Sequence, residues 1–132
     1  GEQITERGIG NGVSLIITGG LRISPDFAKA LALGADAVAL ATSALIAIGC
    51  QQFKMCNTGR CPMGLTSQDK VLRKNVDVER SAERLANFLR VSTEEIAQFA
   101  RITGHRDVHE LCIEDLCTVN SEISNYTAIR HV

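Results

Sequence analysis

Two short apolar runs, each closed by small residues and followed by a helix signal, constrain this chain more than any other feature. The first is Val13-Ser14-Leu15-Ile16-Ile17, closed by Gly19-Gly20. A β-branched run of that length, bounded by a glycine pair, reads as a buried strand. Ser24-Pro25 then predicts a helix start. Serine can cap orphan N–H groups, and proline at the first helical position gives up a donor that has no partner there. Phe27, Ala30, Leu31 and Leu33 supply the apolar stripe, and Gly34 is expected to end the helix as a left-handed cap. A second run, Ala37-Val38-Ala39-Leu40-Ala41, follows directly, and a short helix entered from Thr42 and Ser43 is predicted to reach Ile48. This alternation implies parallel strands with right-handed crossovers, and so an α/β fold.

Residues 50–63 contain Asn57, Gly59 and Pro62 and are expected to form an irregular loop. Beyond them the pattern turns helical. One helix is predicted over residues 81–91, with Leu85, Phe88 and Leu89 on one face. Ser92-Thr93-Glu94-Glu95 reads as a capping box that starts a separate helix ending at Gly104. Asp107 with Glu110 signals a further helix carrying Leu111, Cys112 and Leu116, and from Asn120 the tail is polar and expected on a surface. No internal repeat or low-complexity tract is present.

Composition narrows the function. The 132 residues are 45% hydrophobic and 22% charged, enough to bury a core. A formal charge of −1 argues against broad capture of nucleic acid or an anionic membrane. The basic residues between Lys70 and Arg90 are interleaved with Asp77, Glu79 and Glu83, which suits a solvated helix face. Residues 30–49 are apolar, but Gly34, Asp36, Thr42 and Ser43 interrupt them, so no membrane span is expected. No secretory signature opens the chain, and Gly1-Glu2-Gln3 reads as a start inside a larger protein. A soluble, cytoplasmic protein is expected.

Two features carry chemistry. The absence of side chains at Gly19 and Gly20 would let a phosphate approach backbone N–H groups. A helix opening at Thr42 and Ser43 would add donors and a positive dipole end, and Arg22 a charge. In (β/α)₈ barrels the phosphate site is often built from the loops after strands 7 and 8. Taken alone, Gly-Gly is equally a tight turn.

The second feature is cysteine. Five cysteines cannot all pair within one chain, and without a secretory signal metal ligation or free thiols are the expected uses. Cys50, Cys56 and Cys61 share one irregular segment with spacing C-x₅-C-x₄-C, and Pro62 follows the third. Three thiolates suit a three-iron cluster with one ligand per iron, and proline after a ligating cysteine recurs in iron–sulfur sequences. A structural zinc site prefers four ligands and a closer pair, and its fourth donor would come from Cys112, Cys117, His105 or His109. Three unligated thiols also fit the spacing. Cys112 and Cys117 read as core or interface thiols on an amphipathic helix.

Together, Ile17-Thr18-Gly19-Gly20-Leu21-Arg22, Gly34-Ala35-Asp36-Ala37, Ala44-Leu45-Ile46-Ala47-Ile48-Gly49-Cys50 and Cys56-Asn57-Thr58-Gly59-Arg60-Cys61-Pro62-Met63-Gly64 resemble the synthase domain of glutamate synthases. The match runs from about residue 10 to residue 69. The C-terminal half, with Ser121-Glu122-Ile123-Ser124-Asn125, is similar to the tail of the shorter prokaryotic FMN-binding members. The resemblance implies the last βαβα portion of a (β/α)₈ TIM barrel (residues 1–49), an iron–sulfur cysteine loop (50–66) and a C-terminal helical segment (67–132). It implies FMN held at its phosphate by Gly19, Gly20, Leu21, Arg22, Ala41, Thr42 and Ser43, and a [3Fe–4S] cluster on Cys50, Cys56 and Cys61. Electrons would enter through iron–sulfur carriers, and FMN would deliver a hydride to the imine of 2-oxoglutarate and ammonia. Many relatives carry Asp at Thr18, whose loss is expected to change the hold on the flavin ribityl chain, and Gly at Ala41, where the added methyl still leaves the N–H available to the phosphate.

The expected partners are the rest of the barrel and an iron–sulfur electron donor or small subunit. A stand-alone iron–sulfur or zinc-binding electron-transfer module is the competing reading. Two strands cannot close a barrel, and an open parallel edge is a liability, which favours a piece of a larger enzyme. Alone, the chain is expected to be inactive, to bind FMN weakly, and to cover its strands with C-terminal helices or by homo-oligomerisation.

Overall fold

A computed structural model describes residues 12–132. It contains β1 (Ile16–Thr18), α1 (Ser24–Ala32), β2 (Ala37–Ala39), α2 (Thr42–Ala47), α3 (Val78–Ile102), β3 (Cys117–Thr118), α4 (Ser121–Tyr126) and β4 (Arg130–His131). The chain divides into two compact units, one of residues through Leu40 together with Ser92–Val132, the other of Ala41–Val91.

In the first unit β1 and β2 pair in parallel, with Ile17 opposite Val38. The predicted strand–helix–strand order therefore holds, in a mixed α/β chain. The strands are three residues each, shorter than the apolar runs that announced them. Asp36 explains part of this: its carboxylate accepts the Leu15 N–H at 2.6 Å, fixing the register just before the ladder begins.

Helix α1 starts one residue earlier than Ser-Pro implies. Ile23 is the cap residue, Ser24 is already helical, and the Ser24 hydroxyl donates to the Glu95 carboxylate rather than capping. The capping role passes to Asp26, which reaches back to the N–H groups of Arg22 (3.0 Å) and Ile23 (3.3 Å). The helix ends as Gly34 predicts: at φ 96° it lets its own N–H reach Leu31 O (2.8 Å) and the Ala35 N–H reach Ala30 O (3.1 Å). Ala28, Leu31 and Ala32 of α1 then pack with Ala100 and Leu111, flanked by Ile96, Phe99, Val108 and Leu116. The C-terminal residues thus cover α1 and not the strands, where Ile16 stays 59% exposed.

Helix α3 corrects the predicted break at Ser92, since it runs unbroken from Val78 to Ile102. Ser92 is buried at the position the stripe Leu85, Phe88, Ile96, Phe99 requires, so the 3.6-residue period overrides the capping signal. Asp77 caps its start through the Arg80 N–H at 3.0 Å.

The helix predicted after Asp107 does not form. The Asp107–Glu110 capping box is present, but it closes a single 3₁₀ turn, Val108–Glu110. Leu111 and Cys112 are extended (ψ 131° and 174°), which turns Leu111 into the core, and a second 3₁₀ turn follows at Ile113–Asp115. Cys112 therefore precedes a 3₁₀ turn, and Cys117 sits exposed in a two-residue strand; neither lies on an amphipathic helix. Among the described residues no helix is long and apolar enough to cross a membrane.

Candidate cofactor and metal site

At the end of β1, Gly19 (φ 97°) and Gly20 (φ 71°) are both left-handed, a conformation that disfavours any side chain. A Cβ at either would meet nothing within 4 Å, so the turn faces open space. Thr18 ties the two strand ends together, donating its hydroxyl to Ala39 O at 3.0 Å. Leu21 is half-buried and Arg22 exposed.

In the second unit α2 follows Ala41, its cap residue. The first helical N–H to bond back is that of Leu45, to Ala41 O at 3.0 Å, leaving the N–H groups ahead of it directed out of the helix start. Thr42 is exposed, whereas Ser43 is buried. Its hydroxyl is the one buried side-chain polar atom without a hydrogen-bond partner among the described residues. Buried hydroxyls are normally paired, and Ser43 lacks such a partner among the described residues.

The cysteine loop begins where α2 stops. Gly49 at φ 104° closes the helix, and the N–H of Cys50 donates to Leu45 O at 2.9 Å, which fixes the first cysteine at the helix end. Gln52 and Lys54 are left-handed non-glycine residues (φ 56° and 55°), an arrangement costing about 1–2 kcal/mol each. Cys56 is exposed and opens the 3₁₀ turn Cys56–Thr58.

Cys61 is the buried member, 7% exposed. Burial pushes its thiol up, but the N–H groups of Met63, Leu65 and Thr66 and the Thr66 hydroxyl together outweigh it and hold the thiol below its ordinary value. Such a nest of donors favours the thiolate, the form that ligates metal. Gly64 makes the nest possible: a Cβ there would lie 2.2 Å from Leu72 O, so the backbone passes too close for any side chain. Asn75 ties down the same loop by donating to Pro62 O at 2.8 Å, and Ser81 donates to Ile48 O at 3.2 Å. A cleft of about 190 Å³ opens beside it, with Gly49, Met63, Asn75, Arg80 and Arg84 in its walls.

The three loop sulfurs do not form a group within 4.8 Å of one another. Sequence reasoning missed the roles of Gly64, Thr66 and the orphan hydroxyl of Ser43. Gly64, a second glycine soon after Cys-Pro, was the signal available for the first; the other two depend on tertiary packing.

A parallel βαβ unit followed by a thiolate-stabilising cysteine loop defines a candidate cofactor-binding oxidoreductase segment. The comparisons give the family. Residues 1–106 match the family model described as the conserved region in glutamate synthase. The chain is 39% identical over 137 aligned residues to a glutamate synthase large subunit-like protein of Rhizobium meliloti, covering 92% of this chain and 31% of that protein. It is 48% identical to an archaeal-type glutamate synthase (NADPH) of Dehalococcoides mccartyi, covering 67% and 18%, and 43% identical to an archaeal glutamate synthase (NADPH) of Archaeoglobus fulgidus, covering 83% and 22%. No solved structure matches the chain. The chain belongs to the glutamate synthase family, a family of oxidoreductases. It spans less than a third of the length of these relatives.

Proposed function

We propose that this chain is part of an FMN- and iron–sulfur-dependent glutamate synthase, forming L-glutamate reductively from 2-oxoglutarate and ammonia. In this reading it supplies contacts to the flavin phosphate and the ligands of a [3Fe–4S] cluster. What supports the reading is the family match over residues 1–106 together with three cysteines on one irregular loop, the buried Cys61 among them. Hydrogen bonds to ligating sulfurs are among the means by which a protein tunes an iron–sulfur centre, and a loop rigidified around a thiolate before metal arrives favours its loading. Cys50, fixed at the end of α2, and the exposed Cys56 are the other ligands.

For FMN, the residues fit at two points. The left-handed Gly19–Gly20 turn faces open space, and the buried Ser43 hydroxyl lacks a partner that a phosphate oxygen would provide. The candidate phosphate contacts are Gly19, Gly20, Leu21 and Arg22 after β1, and Ala41, Thr42 and Ser43 at the start of α2. When bound, FMN supplies hydride transfer and the cluster one-electron relay. The chain's own residues hold the phosphate, stabilise thiolates and, at Thr18, brace the strand ends. The exposed β1 face supports continuation into further barrel strands, because parallel sheets are ordinarily covered on both sides. The remaining barrel and an iron–sulfur electron donor are the partners this requires.

Flavin content of the full-length protein tests the phosphate assignment. Ser43→Ala removes one charge-assisted hydrogen bond worth about 1.5–3 kcal/mol, so FMN affinity should fall at least about tenfold. Unchanged affinity contradicts the assignment.

A further inference from the structure

Away from the cysteine loop, three potential ligands of different chemistry converge in the first unit. The ligand atoms of His105, Cys112 and Asp115 lie within 4.8 Å of one another, all three residues half-buried, and they form the only such group among the described residues. Each is held by backbone geometry. Gly104 (φ 92°) ends α3 so that the His105 N–H donates to Ala100 O at 2.8 Å. Asp115 reaches back to the Cys112 N–H at 3.0 Å, which closes the 3₁₀ turn and brings its carboxylate beside the thiol. We propose that His105 Nε2, Cys112 Sγ and an Asp115 carboxylate oxygen form a mononuclear zinc(II) site, independent of the iron–sulfur loop.

The donor set and its geometry support zinc. The donor set of imidazole, thiolate and carboxylate belongs to the ligands zinc takes together, whereas calcium and magnesium require oxygen. The Cys112 Sγ–Asp115 Oδ2 separation of 3.6 Å already equals the edge of a zinc tetrahedron with ordinary bond lengths, roughly 3.6 Å. His105 Nε2 lies 2.7 Å from Asp115 Oδ2, a hydrogen bond that opens by roughly 0.7 Å to admit the metal. The other ring nitrogen, Nδ1, faces Glu110 Oε2 at 3.9 Å, on the side where metal-bound histidines commonly have a carboxylate. Binding releases the Cys112 proton to solvent as the thiolate forms, and a water completes the tetrahedron.

Site-resolved alkylation tests this in the full-length protein, because mass spectrometry separates the Cys112 peptide from those of Cys50, Cys56 and Cys61. One equivalent of zinc(II) beyond that taken by the loop should slow Cys112 alkylation at least about tenfold, the scale on which ligation suppresses thiol reactivity. Glu110→Gln, which removes the charge facing Nδ1 while keeping a carbonyl oxygen for the capping box, should raise the zinc concentration needed for protection about 10–100-fold. Asp115→Asn, which keeps the capping oxygen, should abolish protection while Cys112 remains equally reactive without metal. Equal alkylation of wild-type Cys112 with and without zinc overturns the proposal. So does protection that survives unchanged in Asp115→Asn.

Discussion

The segment from Ser24 to Ala35 and the segment from Cys50 to Thr66 organise their backbones in opposite ways. In the first, nearly every N–H bonds within the helix or its glycine cap, and shape comes from burying Phe27 (1% exposed), Ala30 and Ala32. In the second, Cys61 and Gly64 are the buried residues, and left-handed backbone at Gln52, Lys54, Gly59 and Gly64 shapes the segment. The helix is specified by apolar burial, which needs no ligand. The loop is shaped by backbone conformation rather than by apolar burial. One region is a scaffold and the other a candidate site.

Breaking the scaffold should have the largest effect. Phe27→Ala empties the most deeply buried position and should cost about 3–5 kcal/mol in chemical denaturation of the full-length protein. The iron bound per folded molecule should be unchanged, which separates the two regions.

The mirror experiment is Gly64→Ala. Its Cβ meets Leu72 O at 2.2 Å on a left-handed backbone (φ 76°), so the loop must shift at a cost of about 2–4 kcal/mol. Iron content should collapse while the helical circular dichroism of the rest persists. Retained iron would mean the donor nest is not needed for ligation.

A smaller contrast is acid sensitivity. Hydrogen bonds from the Arg22 N–H, the His109 N–H and the Cys112 N–H, respectively the foremost cause at each, hold the carboxyls of Asp26, Asp107 and Asp115 below their ordinary 3.8. Depressed carboxyl values give stability that is full above the ordinary value and is lost as pH falls through the folded ones. The first unit should therefore weaken below about pH 3.8, and Asp107→Asn should flatten that loss slightly in acid titrations followed by circular dichroism. An unaltered acid profile would remove Asp107 from the account.

Much of this was legible in the chain because it rests on local backbone chemistry. Gly34 and Gly104 end helices as their positions announce, since left-handed caps are written in single residues. Thr42-Ser43 opens a helix, and the Cys-rich segment is irregular. The failures occur where tertiary packing outvotes a local signal. Ser92 looks like a cap but continues a buried stripe, and Asp107 caps a turn that Leu111 abandons to reach the core. The convergence of His105, Cys112 and Asp115 needs two turns and a helix end to meet, which spacing does not encode.

The central claim is that Cys50, Cys56 and Cys61 hold a three-iron cluster. Full-length protein purified without oxygen should contain roughly three irons to four acid-labile sulfides per chain and give the paramagnetic signal of an oxidised three-iron centre. Cys61→Ser should abolish both, leaving the folded scaffold intact. Stoichiometric zinc without iron at these cysteines, or a full iron complement in Cys61→Ser, would contradict the account.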